Sequence, residues 1–88
     1  MQPKNDAGDA APSRDVRARA RYMKDGDTRT YSVHALESGS AEVWVRVDTP
    51  SDSSRRKLVS LSSVALALAF LDSKGQELLA EGFSKLQA

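Results

Sequence analysis

The sequence predicts an α+β domain: three or four antiparallel strands in a meander, backed on one face by a long C-terminal helix. Three observations carry this. From Val16 to Val47 apolar and polar side chains alternate with the period of two that marks half-buried strands. Asp25-Gly26 and Glu37-Ser38-Gly39 interrupt the alternation with turn residues. From Ser62 onward the composition shifts to Ala, Leu, Glu, Lys and Gln, which favour helix.

The first strand is Val16-Arg17-Ala18-Arg19-Ala20-Arg21-Tyr22, small or apolar residues in alternation with arginine. If Asp25-Gly26 is a two-residue hairpin loop, Val16, Ala18, Ala20 and Tyr22 face Ala35, Val33, Tyr31 and Arg29. Arg17, Arg19 and Arg21 then face His34, Ser32 and Thr30. One face is mostly apolar and the other polar, so turn and pattern agree. At the next turn a two-residue loop sets Val33 against Trp44 and mixes the faces. A three-residue loop ending in a left-handed Gly39 keeps them separate. It pairs Ala35, Val33, Tyr31 and Arg29 with Ala41, Val43, Val45 and Val47, and His34, Ser32 and Thr30 with Glu42, Trp44 and Arg46.

Asp48 to Ser54 reads as a turn-rich linker, and Arg56 to Leu61 as a short fourth strand. Ser60 or Ser62 suits a helix N-cap. Leu61, Val64, Leu68, Leu71, Gly75, Leu78 and Gly82 then recur at helical spacing without a phase slip. Gly75, with Lys74 just before it, has the makings of a helix end. The unbroken phase instead favours one helix, continuous or kinked near Gly75, through the helical region 62–87, roughly 38 Å long.

The sheet is expected over residues 16–61, within one domain spanning residues 14–88. Residues 1–13 hold two prolines, a glycine and small side chains, with nothing large and apolar after Met1. They are expected to form a disordered arm, unable to offset their ordering entropy by burial. The remaining chain is short for a self-sufficient core. It has no cysteine and a single histidine, which removes a disulfide framework and a thiolate zinc site. No metal or cofactor is expected. Leu66 and Phe70 project away from the predicted helix stripe, which makes the first half of the helix apolar all round. A homodimer seam built from Leu66, Phe70, Leu78 and Phe83 is the simplest cover. No apolar run reaches roughly 18 residues, and no signal-peptide layout is visible, so the expectation is a cytoplasmic protein without a membrane partner.

The 88 residues carry a formal net charge of +1. Residues 14–31, however, hold six basic and three acidic side chains. The predicted polar face gathers Arg17, Arg19, Arg21 and Arg46 around Trp44. Guanidinium groups contact phosphates, and an aromatic plane accepts a stacked base. The expectation is therefore a small binding module for nucleic acid, single-stranded or held by its backbone. Arg17, Arg19, Arg21 and Arg46 neutralise phosphates in this reading and Trp44 stacks, while Tyr22, Lys24 and Arg55-Arg56-Lys57 extend the footprint. The alternative is a protein-interaction or regulatory adaptor dimerising through its helix, with the arginines as a solubilising face. His34 opposite Glu42 has the composition of a general base and its orienting carboxylate. No oxyanion-hole element or nucleophile turn accompanies it, so no catalysis is expected.

Overall fold

Asp25 and Gly26 take φ values of 52° and 86°, the two left-handed conformations that a type I′ hairpin requires. They join β1 (Val16–Lys24) to β2 (Asp27–Ala35). A second hairpin leads to β3 (Ala41–Asp48), closed by the Leu36 N–H donating to the Ser40 carbonyl at 2.9 Å. Gly39, the last of its three loop residues, has φ 94°. The β2–β3 register is the one the alternation selects, with Val33 opposite Val43, Ser32 opposite Trp44 and Thr30 opposite Arg46. The computed structural model describes residues 15–86. The arm expected at residues 1–13 lies outside the described residues.

Two details of the first four strands differ from expectation, and a fifth strand stands where helix was expected. The β1–β2 register holds from Lys24 back to Ala18, then shifts, so that Val16 rather than Arg17 stands opposite His34. A bulge absorbs Arg17, as happens where a strand nears its end and one extra residue must be accommodated. The fourth strand, β4 (Ser53–Leu61), begins three residues before Arg56. Asp48 to Ser54 is thus no loose linker but a tight hairpin. The Thr49 N–H and side-chain hydroxyl both donate to the Asp52 carbonyl, at 2.8 and 3.2 Å. A register shift opposite Val43/Trp44 leaves Leu58 as an extra residue in β4. The early part of β4 is exposed, so no apolar alternation marked it in the sequence.

The helix is also shorter than predicted. Helix α1 (Val64–Ala80) starts at N-cap Ser63, whose hydroxyl accepts from the Leu66 N–H at 3.2 Å, and not at Ser60 or Ser62. It runs unbroken through Gly75 and stops before Gly82, which takes φ 100°. There the Phe83 N–H donates to the Leu78 carbonyl at 3.0 Å and the Gly82 N–H to Leu79 at 3.1 Å. That is a Schellman ending, with Gly82 in the left-handed position after the cap. The helical spacing that continues through Gly82 in the sequence is a coincidence of a residue with no side chain to place. The chain then forms β5 (Ser84–Leu86), which pairs antiparallel with β1.

The resulting sheet has the order β4-β3-β2-β1-β5. The helix therefore links the two edge strands and must cross the whole sheet. Four strand spacings come to about 19 Å, and a 17-residue helix spans about 25 Å. One helix of this length suffices. It buries Ala67, Leu71, Gly75 and Leu78 against the apolar face, with Val33 and Val43 fully enclosed beneath it. The opposite, polar face has no such cover among the described residues.

Candidate functional site

The uncovered face is organised by register. Arg19, Ser32, Trp44 and Lys57 form one row across β1 to β4, and Arg21, Thr30, Arg46 and Arg55 form the next. Alternation sends all eight side chains to the same side. All of them but Lys57 border a hollow of about 520 Å³.

The four predicted arginines have different circumstances. Arg17 sits at the bulge and is gripped by Asp15, Nε to Oδ1 at 2.9 Å and Nη2 to Oδ2 at 3.2 Å. It does not line the hollow, so it drops out of the set that acts together. Arg46 donates from Nε to Asp48 Oδ1 at 3.0 Å. Both side chains are solvent-exposed, and such a pair is weak and easily exchanged for another anion. Arg19 and Arg21 line the hollow, and among the described residues neither forms an ion pair.

Trp44 departs from its predicted role. It is only 8 % exposed. Its indole N–H donates to Glu42 Oε1 at 3.0 Å, and the Arg55 guanidinium lies 5.9 Å from the ring centroid. Glu42 also pairs with Lys57 at 3.5 Å. The ring is walled in by its polar neighbours and in this arrangement offers no open plane for a base. Arginine stems beside an amphipathic ring bury it as effectively as apolar residues do.

His34 is 4 % exposed, with Nε2 2.7 Å from Ser32 Oγ. A hydroxyl and an imidazole in contact resemble a nucleophile and its base. They lie on β2, a strand whose backbone is engaged by β1 on one side and β3 on the other. Both lie within β2 and not at a helix N-terminus, where backbone N–H groups would face a developing oxyanion. The contact satisfies a buried polar ring.

Asp48 completes the electrostatics. Its carboxyl is held below the ordinary value of 3.8, first by the Ser53 hydroxyl, 2.7 Å away, then by Arg46 and, at longer range, Arg21, against the pull of partial desolvation. Arg19, Arg21, Arg46, Arg55 and Lys57 stand against Glu42 and Asp48, an excess of three positive charges on one face. The sequence singled out Arg55-Arg56-Lys57 as one cluster, and the register divides it. Arg55 and Lys57 join the polar face, and Arg56 goes to the helix side opposite Val45. Strand alternation carries the signal for this once β4 extends back to Ser53.

Of the predicted dimer seam, Leu66 is exposed at 51 % and Phe70 is partly buried against the core. Leu78 and Phe83 are buried within the chain itself. Phe83 is not helical, and the Schellman turn folds it back beside Leu78. Neither of those two is available to a second copy. No helix among the described residues is long and apolar enough to cross a membrane. No protein-family model, curated protein or solved structure matches the chain.

Proposed function

We propose that this chain is a non-enzymatic binding module that holds the phosphate backbone of single-stranded nucleic acid on its polar sheet face. The observation that carries the reading is the pair Arg19 and Arg21. They are adjacent on one side of β1, form no ion pair among the described residues, with Arg21 acting on Asp48 only at longer range, and border a hollow shared with Arg46 and Arg55. Guanidinium groups with free donors bind phosphate in bidentate fashion. Thr30 adds a hydroxyl between Arg21 and Arg46. Because Trp44 is covered, contact is with backbone rather than base, and little sequence preference is expected.

Fluorescence anisotropy of a labelled oligothymidylate across a salt series tests this. Each phosphate contact contributes roughly 0.7 log unit of affinity per tenfold change in salt. Replacing Arg19 and Arg21 together with alanine should flatten the slope by about two contacts, or roughly 1.4 log units. Arg17→Ala should leave it unchanged. Absence of binding at low salt, or a slope indifferent to the Arg19/Arg21 pair, overturns the reading.

A protein-interaction adaptor is the second reading, favoured by the exposure of Leu66, Leu68 and Leu79 at 51, 41 and 51 %. On that reading a second copy covers the Leu66 flank of the helix. Light scattering at micromolar concentration decides it: a dimer that Leu66→Lys dissociates supports the adaptor, and a monomer removes it.

A further inference from the structure

The sheet ends in β4 on one side and β5 on the other, and the two edges are unequal. β5 has three residues, and an edge that short offers little to a foreign chain. β4 has nine, of which residues 53–57 are all exposed. Helix α1 buries its contact residues against the apolar face of the sheet and leaves this rim uncovered. Every second residue of an antiparallel strand turns its N–H and C=O away from its partner. Among the described residues, no backbone group of residues 54–57 bonds outside the ladder with β3. The rim of β4 is a row of unpaired donors and acceptors.

Three cations follow one another along this row. Arg55 and Lys57 stand on the polar face, and Arg56 on the helix side, where Arg29 and Lys74 border the same hollow. Among the described residues neither Arg55 nor Arg56 forms an ion pair, and Lys57 has Glu42 at 3.5 Å. Both faces of the rim are therefore cationic. A second copy of the chain is a poor occupant. Antiparallel pairing of β4 with itself about Arg56 sets Arg56 against Arg56 and Arg55 against Lys57, and like charges placed opposite one another destabilise a ladder. The charges that repel a second copy select an acidic strand.

We propose that residues 54–57 of β4 receive an extended acidic segment of another protein as a further strand of the sheet. The backbone of that segment extends the ladder. Its side chains alternate between the two faces, so consecutive carboxylates meet Arg55 and Lys57 on one side and Arg56 on the other. A run of Asp or Glu fits this rim, and an alternating acidic pattern satisfies one face only. Pairing stops at Leu58, the extra residue of β4, because a bulge breaks the ladder spacing. The site depends on backbone pairing at the edge, so it stands or falls independently of phosphate binding around Arg19 and Arg21.

Titration of the isotope-labelled full chain with the blocked peptide Thr-Val-Glu-Glu-Glu-Val-Thr, followed by amide chemical shifts and hydrogen exchange, tests the proposal. Saturable shifts are expected at residues 54–57, with exchange of alternate amides there slowed about tenfold once about nine-tenths of the chain is bound. Two N-methylated peptides, blocked at odd or at even residues, should differ: one set loses at least about tenfold in affinity and the other stays within about twofold, since only alternate N–H groups face β4. Arg56→Gln, an exposed change, should weaken binding about two- to fivefold. The peptide with lysines in place of glutamates should not bind. The Arg19→Ala, Arg21→Ala double variant should bind the acidic peptide as the unsubstituted chain does. Five results overturn the site: equal loss with both methylated peptides, shifts centred on Arg19 and Arg21, indifference to Arg56→Gln, alternate β4 amides already protected in the free chain, or no saturation up to about 10 mM.

Discussion

The hydroxyl of Tyr22 occupies the space in which a side chain at position 75 would begin. A Cβ built on Gly75 collides with that oxygen and lies 3.2 Å from the ring carbon that bears it. The glycine is therefore a steric requirement of the β1–α1 contact, in mid-helix and without any break in the helix.

Gly75→Ala should destabilise the protein by about 1–3 kcal/mol, although alanine is the better helix former by about 1 kcal/mol. Overpacking outweighs propensity because the obstacle is a ring held in the core, where Tyr22 is 3 % exposed and edge-on to Tyr31 at 6.1 Å. Tyr22→Phe removes the colliding atom. In that background the alanine should cost at least 1 kcal/mol less. Urea denaturation of the four-member cycle measures the coupling, and additive effects would sink the explanation.

Gly82→Ala should cost about 1–2 kcal/mol, since φ 100° is strained for any residue with a Cβ. The change acts where α1 hands over to β5, so amide exchange should quicken first at Ser84–Leu86 and at their β1 partners Arg21–Met23. Uniform quickening across the sheet would contradict a local role for the turn.

Trp44 is the single tryptophan of the chain, which makes its cover measurable. Acrylamide should quench it poorly, and Arg55→Ala, which removes the guanidinium over its ring, should raise the quenching constant about twofold. Saturating oligonucleotide should leave the emission nearly unchanged. Strong quenching by the oligonucleotide would instead mean that the ring is uncovered on binding and stacks on a base.

Acid should loosen the β3–β4 hairpin. Asp48 has a lowered pKa in the folded protein, through the Ser53 hydroxyl first and Arg46 next. Its contribution is fully present above the ordinary carboxyl value and is lost as pH falls through the lower folded-state value. Stability should be flat with respect to this group between about pH 7 and 5 and decline below about pH 4. Ser53→Ala should move the Asp48 carboxyl titration, read by carbon NMR, up toward 3.8. An Asp48 that already titrates at or above that value in the unsubstituted chain would contradict the arrangement.

The meander was legible because its information is local. Asp25-Gly26 and Gly39 specify turns, and a strand slipped by one residue would bury Arg19 or Ser32 and expose Val33. The helix was legible in kind and, to within a few residues, at its start, although its cap is Ser63 and neither Ser60 nor Ser62. Its end was not. Gly75 and Gly82 look alike in the sequence, yet one makes room for a tyrosine brought in from β1 and the other reverses the chain into β5. Only the sheet's order distinguishes them, because Tyr22 and Gly75 meet through packing and not through proximity in the chain.

The same division holds for the candidate site. By itself the sequence determined which residues share the polar face, since alternation along β1, β2 and β3 assigns Arg19, Arg21, Trp44 and Arg46 to one side whatever covers the other. The tertiary structure alone decided which of them are free. Asp15 grips Arg17 and Asp48 meets Arg46, each a neighbour two residues away whose side chain the local geometry turns toward the guanidinium, while Arg55 arrives over Trp44 on a strand whose first half had no apolar signal. Composition and periodicity report burial, and burial sorts faces. Pairing between charges depends on ångström-scale distances set by bulges and register, which burial does not encode.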